Sequence, residues 1–185
     1  MLTTYLILLR GINVGGKNPV PMARLRELLE GLGYSNVATY IASGNVILSS
    51  DRPAGEIKRQ IEEALPGAFR LDSELVAVLV LSRAQLRAIV DHKPAGFGEH
   101  PETYHSDAIF LMGIDAATAM QAFDPRSGVD TVWPGDGVIY SQRLSSQRTR
   151  SRLNKAMSSP AYKSMTIRSW ATTVALLELL ERRRG

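Results

Sequence analysis

Cysteine is missing from all 185 residues. That excludes disulfides, thiolate catalysis and cysteine-ligated zinc, and it fits a reducing compartment. Aromatic residues make up only 6%. Tyr5 and Tyr40 fall on expected strands, yet so few rings and no ribonucleoprotein motif argue against a base-stacking RNA module. No long apolar run occurs. The opening "MLTTYLILLRG" lacks a basic leader and stops at Arg10, too short for a signal core or a membrane span. A cytoplasmic protein without a membrane partner is expected. Histidine is limited to His92, His100 and His105. Their spacing fits no metal site, and neither H-E-x-x-H nor G-x-S-x-G occurs. These histidines read as solvated or capping, and no metal or cofactor is expected.

What is present supports a folded core. Apolar residues reach 44% and charged residues only 22%, so wholesale disorder is excluded. The length suits one compact unit or two small ones. The net charge of +4 hints at anionic partners, although charge of this size speaks first to solubility. Its distribution is uneven. "SQRLSSQRTRSRLNK" (141–155) holds Arg143, Arg148, Arg150, Arg152 and Lys155 with no acid. It is either a solvated face or a stretch that grips phosphates through arginine and hydroxyl groups.

Along the chain, residues 3–9 read as a buried strand stopped by Gly11. Pro21 can open a helix, because its missing N–H would have no partner there. Met22, Leu25, Leu28, Leu29 and Leu32 then recur at helical spacing, with Gly33 as a stop. "NVATYIASGNVILSS" gives two strands around Ser43, Gly44 and Asn45. A second helix runs through Ile57, Ile61 and Leu65, and "ELVAVLVL" is another strand. The order β-α-β-β-α-β is the ferredoxin-like unit. Ser82 and Gln85 form a capping box for a trailing helix. Residues 92–104 are rich in Gly and Pro and read as a linker.

The pattern then restarts. "ILLRGINV" (7–14) matches "IFLMGIDA" (109–116), and "SNVATYIASGNVILSS" (35–50) matches "SGVDTVWPGDGVIYSQ" (127–142). Two matched blocks in one order indicate duplication. The expected architecture is α+β: two ferredoxin-like subdomains with antiparallel sheets, over 1–91 and 105–185, joined by 92–104. The second ends in a helix carrying Trp170, Val174, Leu177 and Leu180 on one face. The blocks are offset by 102 and 92 residues, which puts ten extra residues in the first half.

The interval that carries the extra length includes "NVGGKNPVP" (13–21), which the second half does without. Gly11, Gly16 and Lys17 spell G-x-x-x-x-G-K, a phosphate-loop motif short of its last residue. Asn18 stands where magnesium needs Ser or Thr. Pro19 and Pro21 disfavour a helix starting at Lys17, and the expected sheet is antiparallel. A true P-loop hydrolase is therefore not expected. A looser anion site remains: Gly11, Gly15 and Gly16 permit close approach, and Arg10, Lys17, Asn13 and Asn18 supply donors. The alternative is a tight connection whose polar side chains only tie it down. Ser43 in "ASGN" reads as a turn former, with no base near it in sequence.

"LLRGINVGGKN", "MARLRELLEGLGYSNVATYIASGNVIL" and "MTIRSWATTVALLELL" together resemble the bacterial family called domain of unknown function 1697. The resemblance covers nearly the whole chain and implies a duplicated ferredoxin-like fold; the family's activity is unassigned. Its C-terminal signature is T-x-R-N-W-N-T. Here "TIRSWAT" keeps Thr166, Arg168, Trp170 and Thr172, while Ser169 and Ala171 replace two asparagines. If those amides bind ligand in relatives, donors are lost here; if they cap the last helix, Ser169 can do the same.

The resulting expectation is a binding protein for an anionic small molecule or nucleic acid. Arg10, Gly11, Asn13, Gly15, Gly16, Lys17 and Asn18 would hold the anion, and Ser43, Asn45 and Arg168 would form an opposite wall. The alternatives are an enzyme acting on a phosphorylated small substrate, using Lys17 and Arg168 for charge, and an interaction module without a small ligand. No catalytic residue is assignable, and oligomeric state is not legible.

Overall fold

A computed structural model describes residues 1–72 and 76–183. The chain divides into two compact units, Met1–Leu86 with the segment from Leu176 onward, and Arg87–Ala175.

The first unit contains β1 (Thr3–Leu9), α1 (Met22–Gly31), β2 (Ser35–Tyr40), β3 (Asn45–Ser50), α2 (Ala54–Ala68) and β4 (Val78–Ser82), then enters α3 (Arg83–Asp91). The sheet order is β2-β3-β1-β4, with every pairing antiparallel. The central place of β1 follows from its composition. Leu6, Ile7, Leu8 and Leu9 are all buried, so the run is apolar without alternation. Ile7 and Leu9 share a core with Val46, Leu48, Val78 and Val80, against Leu25 and Leu29 of α1 and Ile57, Ile61 and Leu65 of α2. The four-residue spacing of the helical set puts it on one face of each helix. Of the strand expected at "ELVAVLVL", Glu74 and Leu75 lie outside the described residues. The capping box is present: Ser82 N–H donates to Gln85 Oε1 at 2.9 Å, and Gln85 N–H to Ser82 Oγ at 3.2 Å.

The second unit contains β5 (Tyr104–Leu111), α4 (Ala116–Met120), β6 (Asp130–Pro134), β7 (Val138–Leu144), α5 (Leu153–Met157) between two 3-10 turns, and β8 (Met165–Ser169), then enters α6 (Trp170–Arg182). Its sheet order, β6-β7-β5-β8, repeats the first, again antiparallel. Ile109, Leu111, Ile139 and Met165 form its core with Ala119 of α4.

Duplication extends to single hydrogen bonds. Leu9 N–H donates to Gly44 O and Leu111 N–H to Gly137 O; Arg10 N–H donates to Ala77 O and Met112 N–H to Ser164 O. The strand register agrees: Ile7 faces Val46, and Ile109 faces Ile139. The second offset is therefore 93, from Gly44 to Gly137, and not the 92 expected from matching letters. A one-residue slip would exchange the two faces of the strand, so the buried faces decide the register. The first half is therefore nine residues longer between the first and third strands of its sheet. Its β1–α1 connection spans residues 10–21, whereas β5–α4 spans only 112–115.

Within 92–104, Phe97 is fully buried. It makes edge contacts with Trp133, Tyr140 and Trp170 at ring separations of 5.9, 5.2 and 5.0 Å. Gly98 follows at φ +73°, and a Cβ there would stand 2.4 Å from Trp170 Cδ1. This Gly-Pro stretch is thus anchored in the second unit's core. Among the described residues no helix is long and apolar enough to cross a membrane.

Candidate functional site

The long β1–α1 connection is a small hairpin. Val14 and Lys17 form an antiparallel bridge. Lys17 N–H donates to Val14 O at 2.9 Å, and Asn13 N–H to Asn18 O at 3.0 Å. The two residues between, Gly15 and Gly16, have φ of +57° and +75°. Positive φ at both central positions is the type I′ turn that joins twisted strands, and glycine accepts it without strain. The glycines are thus explained by a turn. A Walker phosphate loop needs free amides at a helix start, but here the Lys17 amide is used and α1 begins only at Met22.

The asparagines fasten the hairpin to the body. Asn13 Nδ2 donates to Val20 O at 2.9 Å and Ala42 O at 2.8 Å, and its Oδ1 accepts from Val20 N–H at 2.8 Å. Asn18 is buried; its Nδ2 donates to Gly11 O at 2.7 Å, and its Oδ1 accepts from Asp72 N–H at 2.6 Å. Asp72 Oδ2 in turn accepts from Asn18 N–H at 2.9 Å. Both asparagines have φ near +50°, a region this side chain tolerates. Asn45, fully buried, donates to Tyr40 O and Ser43 Oγ within the β2–β3 turn. That turn is held close: a Cβ on Gly44, at φ +81°, would stand 2.9 Å from Leu9 O.

The structure therefore brings the hairpin and the 41–45 turn together through Asn13 and Ala42. It spends the amides of Asn13 and Asn18 on backbone groups, and that of Asn45 on Tyr40 O and Ser43 Oγ. Arg10 is half-buried with contacts of its own. Facing solvent are Val14, Gly15, Gly16, Lys17, Ile41 and Ser43. Arg168 belongs to the second unit. It is buried in β8, donates to Thr166 Oγ1 at 2.8 Å and Ile167 O at 2.9 Å, and burial pushes its pKa down to about 10. Ser169 caps α6: its Oγ accepts from Thr172 N–H at 3.2 Å. This is the role Ser82 plays at α3: a serine side chain caps the helix start.

In the 141–155 stretch, Arg152 and Lys155 pair with Asp124 at 3.0 and 2.7 Å. Arg148 and Arg150 are exposed. One histidine departs from the solvated reading: His105 Nε2 lies 3.1 Å from Oδ1 of buried Asp107, whose Oδ2 lies 3.4 Å from Arg143 Nη1. The i, i+2 spacing of "HSD" on a strand was the available signal, since it places both side chains on one face.

The family described as "Protein of unknown function (DUF1697)" matches residues 2–140. The chain belongs to the DUF1697 family. The C-terminal "TIRSWAT" lies beyond the matched residues. A solved structure, the conserved bacterial protein SP0830 from Streptococcus pneumoniae, aligns with a TM-score of 0.79 at 26% identity, over 97% of this chain and 99% of that one. No curated protein matches. Membership in DUF1697 fixes the fold without supplying an activity, so function has to be argued from the sites.

Proposed function

We propose that the Val14–Lys17 hairpin is a recognition element for the phosphate backbone of a nucleic acid. The observation that carries this reading is the contrast between a loop base that is firmly anchored and a turn whose residues, Val14 to Lys17, face solvent. Residues 10–21 replace a four-residue connection, and buried Asn18 fastens them, yet Gly15, Gly16 and Lys17 face solvent. A rigid loop with an exposed polar tip is the usual place for binding residues.

The chemistry of the tip selects the ligand class. Lys17 is a point cation for a phosphate, and Ser43 lies on the adjoining exposed turn. Val14 and Ile41 are 64% and 53% exposed and offer apolar contact to sugars. An exposed two-residue turn does not enclose a mononucleotide; it suits a polymer that lies across it. The net charge of +4 favours approach of such a polyanion.

The test is fluorescence anisotropy of labelled 20-nucleotide RNA and DNA, single- and double-stranded, across a salt series, with wild type and Lys17→Ala. The expected result is salt-dependent binding, with the slope of log K against log salt reduced by about 0.7–0.9 in the variant, one phosphate contact. An unchanged slope and affinity would remove the hairpin from the interface. Absence of binding to any of the four nucleic acids would favour a protein-interaction module.

A further inference from the structure

The second unit carries a charged cluster that the fold does not require. The duplication supplies the comparison. His105 pairs with Arg143, and Asp107 faces Ser169. At the same register positions of the first unit, Thr3 pairs with Ser50, and Tyr5 faces Ser82. The first sheet thus forms without a carboxylate, imidazole or guanidinium at these places. Burying Asp107 costs desolvation that His105 and Arg143 must offset. Burial raises the carboxyl's pKa, and those two neighbours pull it back.

The cluster adjoins a cavity of about 400 Å³ bordered by Gly98, Tyr104, His105, Ser106, Ser169 and Trp170 among others. We propose that this cavity is a hydrolytic site for a small uncharged ester, with His105 as general base and Asp107 as its positioning residue. This rests on the second unit alone and is independent of the hairpin.

The assignment follows from hydrogen-bonding capacity. A carboxylate only accepts, so its partner Nε2 carries the proton and Nδ1 keeps a lone pair. Nδ1 has no hydrogen-bond partner among the described residues, and the imidazole is 37% exposed. Both serine hydroxyls are engaged: Ser106 Oγ donates to Gln142 Oε1 at 3.1 Å, and Ser169 Oγ to Thr172 Oγ1 at 2.9 Å. Water is therefore the nucleophile. None of the lining residues is Lys or Arg, so a phosphate would lack a counter-charge, whereas a neutral ester would not need one. Trp170 supplies an apolar wall, and Tyr104 brings a hydroxyl with no partner among the described residues.

In the step, Nδ1 takes a proton from water as the water oxygen bonds to the ester carbonyl carbon. Tyr104 donates to the carbonyl oxygen, where negative charge develops. The tetrahedral intermediate then collapses. The C–O bond to the alcohol breaks, and the leaving alkoxide takes the proton from His105. Ester and water become acid and alcohol, and the imidazole returns neutral.

The experiment is hydrolysis of p-nitrophenyl acetate and p-nitrophenyl butyrate by the full chain, compared with equimolar free imidazole. The expected wild-type rate exceeds that of imidazole by at least about 10²-fold, the scale of positioned general-base catalysis. His105→Gln should fall to the uncatalysed rate, with circular dichroism confirming its fold. Asp107→Asn should lower kcat at least tenfold with KM unchanged. Nitrogen NMR of His105 reads the positioning role directly: the neutral ring should be the Nε2–H tautomer in wild type and a mixture in Asp107→Asn. If Asp107→Asn does not fold, the wild-type tautomer and the His105→Gln rate decide. Hydrolysis no faster than imidazole, full activity in His105→Gln, or an Nδ1–H tautomer in wild type would each overturn the proposal.

Discussion

Asn18→Ala separates anchoring from recognition. The side chain is 6% exposed and makes bonds of 2.7 Å to Gly11 O and 2.6 Å from Asp72 N–H. Truncation leaves one acceptor and one donor without their partners. Such groups cost about 1–3 kcal/mol each when buried. The lower end applies here, because the bonds sit at a partly exposed loop base, so the two together give about 2 kcal/mol. The residue also sits at φ +48°, where alanine is disfavoured by about 1–2 kcal/mol. The expected loss is about 3–4 kcal/mol, read by urea or thermal unfolding. At about 2–4 °C per kcal/mol for a chain of this size, Tm should fall by about 6–16 °C. Asn18→Gly removes the same bonds without the backbone strain and should recover about 1 kcal/mol of that. A loss under about 0.5 kcal/mol in Asn18→Ala, or a glycine variant less stable than the alanine one, would refute the reasoning. Below its melting range, Asn18→Ala should also bind nucleic acid more weakly than wild type, although Asn18 need touch no ligand.

Lys17→Ala should leave stability within about 0.5 kcal/mol of wild type, since its side chain is exposed; a larger loss in urea titration would make it a structural residue. Ser169→Ala should cost about 1 kcal/mol through the lost cap, and Ser169→Asn should restore it; equal melting of all three would remove the capping role. Tyr140 is buried and donates to Ile89 O at 2.6 Å, and burial pushes its pKa from 10.0 to about 12. Its folded form holds the proton longer than the unfolded form, so this contribution is whole below pH 10 and is lost as pH rises toward 12. Tyr140→Phe should therefore be about 1 kcal/mol less stable at pH 7 but lose less between pH 10 and 12. Taking the difference between the two proteins cancels Arg168, whose lowered pKa acts in the opposite direction.

Local signals carried most of the fold. The run at residues 6–9, the Pro21 start and the Ser82–Gln85 box each concern neighbours in sequence, and each reappears as structure. Pairing register is non-local. Val46 and Val138 match as letters, but the strand that faces Ile109 presents Ile139 there, because only buried area distinguishes the faces. The asparagines show a second limit. In a glycine loop an amide looks like a ligand donor, but positive φ and unpaired carbonyls nearby claim it first, as at Asn13 and Asn18. The His105–Asp107 spacing was readable, while Arg143 joins them only through strand pairing. Phe97 shows the same limit within a Gly-Pro stretch, where composition suggests a loop and a single apolar side chain decides the packing.

The repeat makes each half a control for the other. Shared features, such as the two serine caps and the matched bonds at Leu9 and Leu111, are what the ferredoxin-like frame needs. Departures lie elsewhere. The first half adds a hairpin where the second turns in four residues. The second half places Asp107 and Arg168 where the first has Tyr5 and Leu81. Replacing a buried leucine position with arginine works against burial, and so does burying Asp107. Among the described residues the buried charges, Asp107 and Arg168, lie in one half, and one of them is bonded to an imidazole at a cavity; folding alone does not explain that. The same reasoning applied to the first half singles out the exposed hairpin tip. The expected division of roles is therefore binding by the first unit and proton transfer by the second, with Lys17→Ala and His105→Gln each changing one readout and leaving the other at its wild-type value.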